Sequence, residues 1–144
     1  MNTEKNVHSR SLARELMFKA MYAWQVGETD MSTSVDAALA KYSSKRLDHA
    51  YLRELSSHCS QQKTMIEATL EPNIKMRARA KQTSVELAIL TVASAELLFC
   101  PQTPTKVVIN EAIELSKQYG SDDGYKFVNA VLDKVSRQLD GDES

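Results

Sequence analysis

The stretch GSDDGYKFVNAVLDKV, Gly120 to Val135, opens with small and acidic residues and continues as an apolar stripe. Phe127, Val128, Val131, Leu132 and Val135 recur at the spacing of one helix face, while Lys126, Asp133 and Lys134 fall on the other. Ser121 or Asp122 stands where a helix cap is expected. Immediately upstream, KVVINEAIELSKQY places Val107, Ile109, Ala112, Ile113 and Leu115 on a broad apolar side. Thr103 is its expected cap, Pro104 suits its first turn, and Gly120 is its expected left-handed stop. Two amphipathic helices joined by so short a turn have to pack on each other, and this sets an all-α reading for the chain.

The remainder agrees. The chain has 144 residues, enough for one domain with a substantial core, and its 4 Gly and 3 Pro are too few for the turns of a many-stranded sheet. From Ser9 to Val26, Ala13, Met17, Ala20, Met21 and Trp24 form one helix face that ends at Gly27. Further helices are expected over Ser32–Lys41, over Arg46–Leu70 with Leu47, Tyr51, Leu55, Cys59 and Ile66 inward, and over Thr83–Phe99. Pro72 is expected to end the long third helix and to divide the chain into two helical halves, residues 8–71 and 73–138, packed as one domain over 1–144. There is no apolar leader at the N-terminus, and Glu86 and Glu96 interrupt the most apolar stretch, so no membrane association is expected. Cys59 and Cys100 read as separate buried thiols suited to a reducing cytoplasm.

Catalytic signatures are missing from the sequence. It has no phosphate-binding GxxxxGK[ST] loop, no GxGxxG and no GxSxG elbow, and His8, His49 and His58 show no zinc-type spacing. His58 and Cys59 are neighbours, but adjacent helical residues point about 100° apart and do not converge. Glu111 and Glu114 read as solvated carboxylates. No cofactor is expected, and binding is the better class.

The basic residues carry that reading further. Arg10, Arg14, Phe18 and Tyr22 follow one another every four residues along the first helix, with Lys19 nearby, and a guanidinium stripe with interleaved aromatics can grip phosphates and stack unpaired bases. A solvated face carrying snorkelling arginines accounts for the same pattern. A second basic run, NIKMRARAK, contains Lys75, Arg77, Arg79 and Lys81 without an acid.

SRSLARELMFKAMYAWQ and, more specifically, TPTKVVINEAIELSKQYGSDDGYKFVNAVLDKV resemble the NusB family of bacterial transcription antitermination factors. The resemblance implies about seven helices in two packed three-helix units and a non-enzymatic, RNA-binding adaptor. Such an adaptor pairs with ribosomal protein NusE on the boxA element of nascent ribosomal RNA and joins an RNA polymerase complex resistant to termination. By position, Arg10 and Arg14 match the family's basic RNA motif, with Lys19 added from its neighbourhood, although Ser11 and Leu12 stand where basic residues are common. Tyr22, Glu86 and Asp123 match positions of the surface for NusE and boxA, with Glu86 expected at a rim. Lys126 and Phe127 are implied RNA neighbours, Phe127 either as a stacking face or as part of the core. Asn110 and Asn129 also match, as half-buried amides tying helices together. Two other readings remain: a detached targeting module of a ribosomal RNA cytosine methyltransferase, or a self-associating structural protein.

Overall fold

A computed structural model describes the backbone of residues 3–75 and 83–141, and the side chains of residues 8–75 and 83–141. Within these residues the chain forms seven helices and no strand: α1 Thr3–Gln25, α2 Met31–Lys41, α3 His49–Gln61, α4 Lys63–Lys75, α5 Ser84–Phe99, α6 Thr105–Tyr119 and α7 Gly124–Leu139. Helix α5 is the most apolar, with Ala88, Leu90 and Ala95 fully buried, and it packs against α1, α3, α4, α6 and α7. Helices α1, α2 and α3 form one unit on its flank; α5, α6 and α7 form the second, which α4 joins through α5 and α7. The expected stripe of α7 faces this core, all five residues being buried. None of these helices is long and apolar enough to cross a membrane.

The long helix expected over residues 46–70 is two helices. Gln62 leaves helical geometry at φ −112° and ψ 26°, its N–H still donating to the His58 carbonyl oxygen at 2.9 Å, and the chain restarts at Lys63. Leu55 and Cys59 before the break and Ile66 and Leu70 after it are all buried in the core. Pro72 lies inside α4 and does not end it. Proline withdraws one backbone donor there, and the buried amide of Asn73 secures the turn by donating to the Thr69 carbonyl oxygen at 2.9 Å and to Gln138 Oε1 of α7 at 3.1 Å. Asn73 thus takes the helix-tying role expected of Asn110 and Asn129, both of which are exposed.

Two further expectations about helix ends are corrected. Gly27 does take the left-handed conformation, at φ 79°, but Gly120 does not: its φ is −89°. Gly120 is needed for space. A Cβ there would run into the Glu86 carboxylate and lie 2.8 Å from the Ser116 carbonyl oxygen, and a Cβ on Gly124 would lie 2.6 Å from Glu86 Cδ. Thr103 does not cap α6, whose N-cap is Pro104 without a side-chain bond; neither Ser121 nor Asp122 caps α7, whose N-cap is Asp123, again without one.

Glu86 itself is not at a rim. It is 1% exposed, seated at the start of α5 in a reciprocal capping box with Thr83, and its carboxylate also accepts from the Ser121 N–H at 3.1 Å and Oγ at 3.2 Å. A polar residue interrupting an apolar helix can be buried when donors surround it, and here the α6–α7 turn supplies them. Burial alone would raise the pKa of this carboxyl, but the donors of Thr83 and Ser121 hold it below its ordinary 4.5. A depressed native pKa means that its stabilisation is fully present above 4.5 and is lost as pH falls through the native value.

Two outcomes follow for this turn. Gly120→Ala lowers unfolding free energy by about 1–3 kcal/mol in urea titrations, because the added methyl displaces a carboxylate held from several sides. Glu86→Gln is less stable than the parent at neutral pH, and the gap between the two narrows as the titrations are repeated below pH 4.5.

Candidate nucleic-acid and partner interface

Helix α1 is packed on by α2, α3, α5 and α6, so a row of residues every four positions cannot stay at its surface. Such a row drifts by about 40° per step around the axis. Its first member, Arg10, is half exposed, but Arg14 is 5% exposed and Phe18 3% exposed. The expected exposed stripe is therefore broken after Arg10. Arg14 donates from Nε to both oxygens of Glu96 at 3.0 and 2.9 Å and from NH2 to Oε2 at 2.8 Å, and reaches Glu111 from NH1 at 3.2 Å. The Tyr51 hydroxyl donates to the same Glu96 carboxylate and meets Thr103 Oγ1 at 2.8 Å, which is where the expected cap of α6 is engaged instead. Ser11 donates to Glu111. Burial would lower the pKa of the Arg14 guanidinium, but the bonds and charge of Glu96, with Tyr51 and Glu111, raise it, so the cation is secure. Burial and the Glu96 carboxylate push the Tyr51 hydroxyl up, keeping it a donor.

Above this buried cluster the turn between α2 and α3 folds back onto the start of α1. Asp48 caps α3 by accepting from the Tyr51 N–H at 3.0 Å, its own N–H donates to the Ser9 carbonyl oxygen at 3.2 Å, and Arg10 Nε donates to its Oδ2 at 3.3 Å. The Arg10 guanidinium lies 4.8 Å from the Tyr51 ring centroid. An open cleft of about 360 Å³ beside it is lined by His8, Ser9, Leu12, Lys45 and Arg46. Lys41 and Arg46, both exposed, lie 5.3 and 5.6 Å from the centre of the Tyr42 ring. Lys41 and Arg46 thus flank the Tyr42 ring, Lys45 lines the cleft beside Arg46, and Arg10 lies over the Tyr51 ring, a combination that suits a phosphate backbone and an unpaired base. The short run KYSSKR, Lys41–Arg46, carries three cations and no acid, and that signal was readable in the sequence.

A second surface forms where α6 and α7 meet. Asp123 and Lys126 are exposed and paired at 3.3 Å, and Tyr125 sits between Lys117 and Lys126, whose ammonium groups lie 5.1 and 6.0 Å from its ring centre. Glu86 lies beneath this turn and holds Ser121, so of the expected partner residues the structure brings Glu86 and Asp123 to one place, one below the surface and one on it. Phe127 is 8% exposed and belongs to the core, so it offers no stacking face; Tyr125, two residues earlier, is the partly exposed ring. Lys19 is half exposed, pairs with Glu15 at 3.2 Å and lies over the Tyr119 ring at 5.3 Å. Tyr22 is half buried against the core one turn beyond Phe18, whose ring is 5.4 Å from that of Tyr119. In the second basic run Lys75 pairs with Glu71 at 2.9 Å, while Arg77, Arg79 and Lys81 lie outside the described residues.

The sequence profile described as the NusB family matches residues 11–137. The chain belongs to the NusB family. It is 36% identical over 131 residues to the transcription antitermination protein NusB of Thiobacillus denitrificans, covering 91% of this chain and 90% of that protein. It is 38% identical to the Shewanella sediminis protein of the same name, covering 88% and 93%. Among solved structures, T. maritima NusB superposes with a TM-score of 0.77 at 27% identity, over 90% of this chain and 91% of that one. The NusB relatives are antitermination factors and not enzymes, and the all-α architecture of this chain is the NusB fold.

Arg14→Ala strands the Glu96 carboxylate at 1% exposure, and removing one partner of such a pair costs about 3–5 kcal/mol. Arg10→Ala, whose pairing with Asp48 is solvent-exposed, costs at most about 1 kcal/mol. Thermal unfolding of the two variants beside the parent separates the buried arginine from the surface one.

Proposed function

We propose that this chain is a cytoplasmic RNA-binding adaptor that pairs with ribosomal protein NusE, binds the boxA element of nascent RNA and joins an RNA polymerase complex resistant to termination. Membership of the NusB family supports the antitermination role. The observation that carries RNA binding is a cationic end in which Lys41 and Arg46 lie against the Tyr42 ring, Lys45 and Arg46 line the neighbouring cleft, and Arg10 lies over the Tyr51 ring. Cations on this rim attract the phosphate backbone, and the ring gives a base a face to stack on, which is how single strands are held without a groove deep enough to read a duplex.

In this reading Arg14 acts through the fold: it holds α1 so that Arg10 reaches the rim, and it does not itself touch RNA. Lys19 and Lys126 are exposed and extend the cationic surface, and Phe127 supports Lys126 from the core. NusE takes the side of Tyr22 and the α6–α7 turn, with Asp123 on the surface and Glu86 fixing the turn from below.

Titration of fluorescent boxA-containing RNA across a salt series, with and without NusE, tests the proposal. NusE is expected to tighten binding. Lys45→Gln with Arg46→Gln is expected to leave the melting temperature in place and to reduce the slope of log K against log salt by about 1.4, at roughly 0.7 per lost contact on a single strand. An unchanged slope removes this end of the molecule from the RNA site, and equal affinity with and without NusE removes the adaptor role.

A further inference from the structure

Three metal-ligating side chains that the sequence keeps far apart meet at the C-terminal end of α5. Glu54 and His58 are one turn apart on α3, with His58 Nε2 3.7 Å from Glu54 Oε2. Cys100, the residue that ends α5, donates from Sγ to the same Glu54 oxygen at 3.1 Å. The ligand atoms of all three lie within 4.8 Å of one another, the one such group of three among the described residues. Tetrahedral donors around zinc, at Zn–S of about 2.3 Å and Zn–N and Zn–O of about 2.0–2.2 Å, stand about 3.5 Å apart, so only the half-exposed side chains have to close slightly.

The surroundings suit an ion. The His58 ring stacks on Phe99, with centroids 5.4 Å apart and planes at 25°, which fixes the ring without using either nitrogen. The Gln102 amide lies 3.4 Å from Glu54 Oε2, where it can orient the carboxylate as an outer-shell partner. Cys100 is 1% exposed, while the side chains of Glu54 and His58 are 39% and 27% exposed. One side of the group is therefore open to water for a fourth ligand.

We propose that Glu54, His58 and Cys100 form a zinc-binding site in this protein, completed by one water. One thiolate, one carboxylate and one neutral imidazole balance a divalent ion, and a thiolate with an imidazole favours zinc over magnesium or calcium, which take oxygen ligands. On binding, the Cys100 thiol loses its proton to solvent and the sulfur lone pair forms the metal bond; nothing is oxidised or reduced. The ion would staple α3 to the loop that leads into α6, beside Tyr51 and Thr103. This inference does not depend on the RNA-binding reading.

The full-length protein, purified reduced and stripped with chelator, is titrated with zinc against a chromogenic competitor, and melting temperature is followed in parallel. One zinc per chain and a melting temperature raised by zinc and restored by chelator are expected. Cobalt in place of zinc should give the thiolate-to-metal charge-transfer band. Cys100→Ser and His58→Ala should each lower affinity by more than the 10–100-fold that loss of an outer-shell partner causes, while Cys59→Ala keeps it. His58→Ala changes a half-exposed residue and so folds even where the cysteine variant does not. A parent that takes up no zinc, a cobalt form without the thiolate band, or a His58→Ala variant with parental affinity overturns the site.

Discussion

Glu96 is a carboxylate at 1% exposure in the middle of an apolar bundle, and most of the molecule's arrangement depends on how that charge is satisfied. Removing an ion from water costs several kcal/mol after relaxation, and only a closely fitted partner with further hydrogen bonds returns it. Arg14 meets both Glu96 oxygens, and Tyr51 donates to one of them. Those three residues belong to α5, α1 and α3. Thr103, bonded to Tyr51, adds the loop before α6. Four segments are thus held in one register by one charge, a constraint more directional than apolar contact, which tolerates sliding.

The consequence reaches the surface. With Arg14 drawn inward, Arg10 one turn earlier is placed over the Tyr51 ring and beside Asp48, and Asp48 in turn holds the loop that carries Lys45 and Arg46. The basic end is therefore supported by the buried pair beneath it. The zinc ligands proposed at Glu54, His58 and Cys100 lie at the same end of α5, so an ion there would brace the same junction.

The other end of α5 repeats the principle with different chemistry. Glu86 is satisfied by neutral donors of Thr83 and Ser121 and not by a cation, and it occupies the space that Gly120 and Gly124 leave by lacking a Cβ. The α6–α7 turn is fitted around that carboxylate, which sets where Asp123, Tyr125 and Lys126 stand. One apolar helix thus carries a buried acid near each end, and each acid positions one of the two candidate surfaces.

The amino-acid sequence by itself determined the helical class, the span of α2, α5 and α6 to within a residue, the apolar face of α7 and the family. These follow from local periodicity and a long specific motif, both of which are properties of neighbouring positions. It also showed two acids inside an apolar helix. Only the tertiary structure decided what those acids do: a glutamate in such a helix reads as a rim residue until the donors of Arg14, Tyr51 and Ser121 are brought to it from other segments. The same holds for Arg14, which a helical wheel leaves at the surface and which meets Glu96, Glu111 and Tyr51 of three other helices, for the break at Gln62, and for His58, which lies near Glu54 and Cys100 and not with the adjacent Cys59. Burial and pairing are sums over the whole fold, and a pattern read along one helix contains only that helix's share of them.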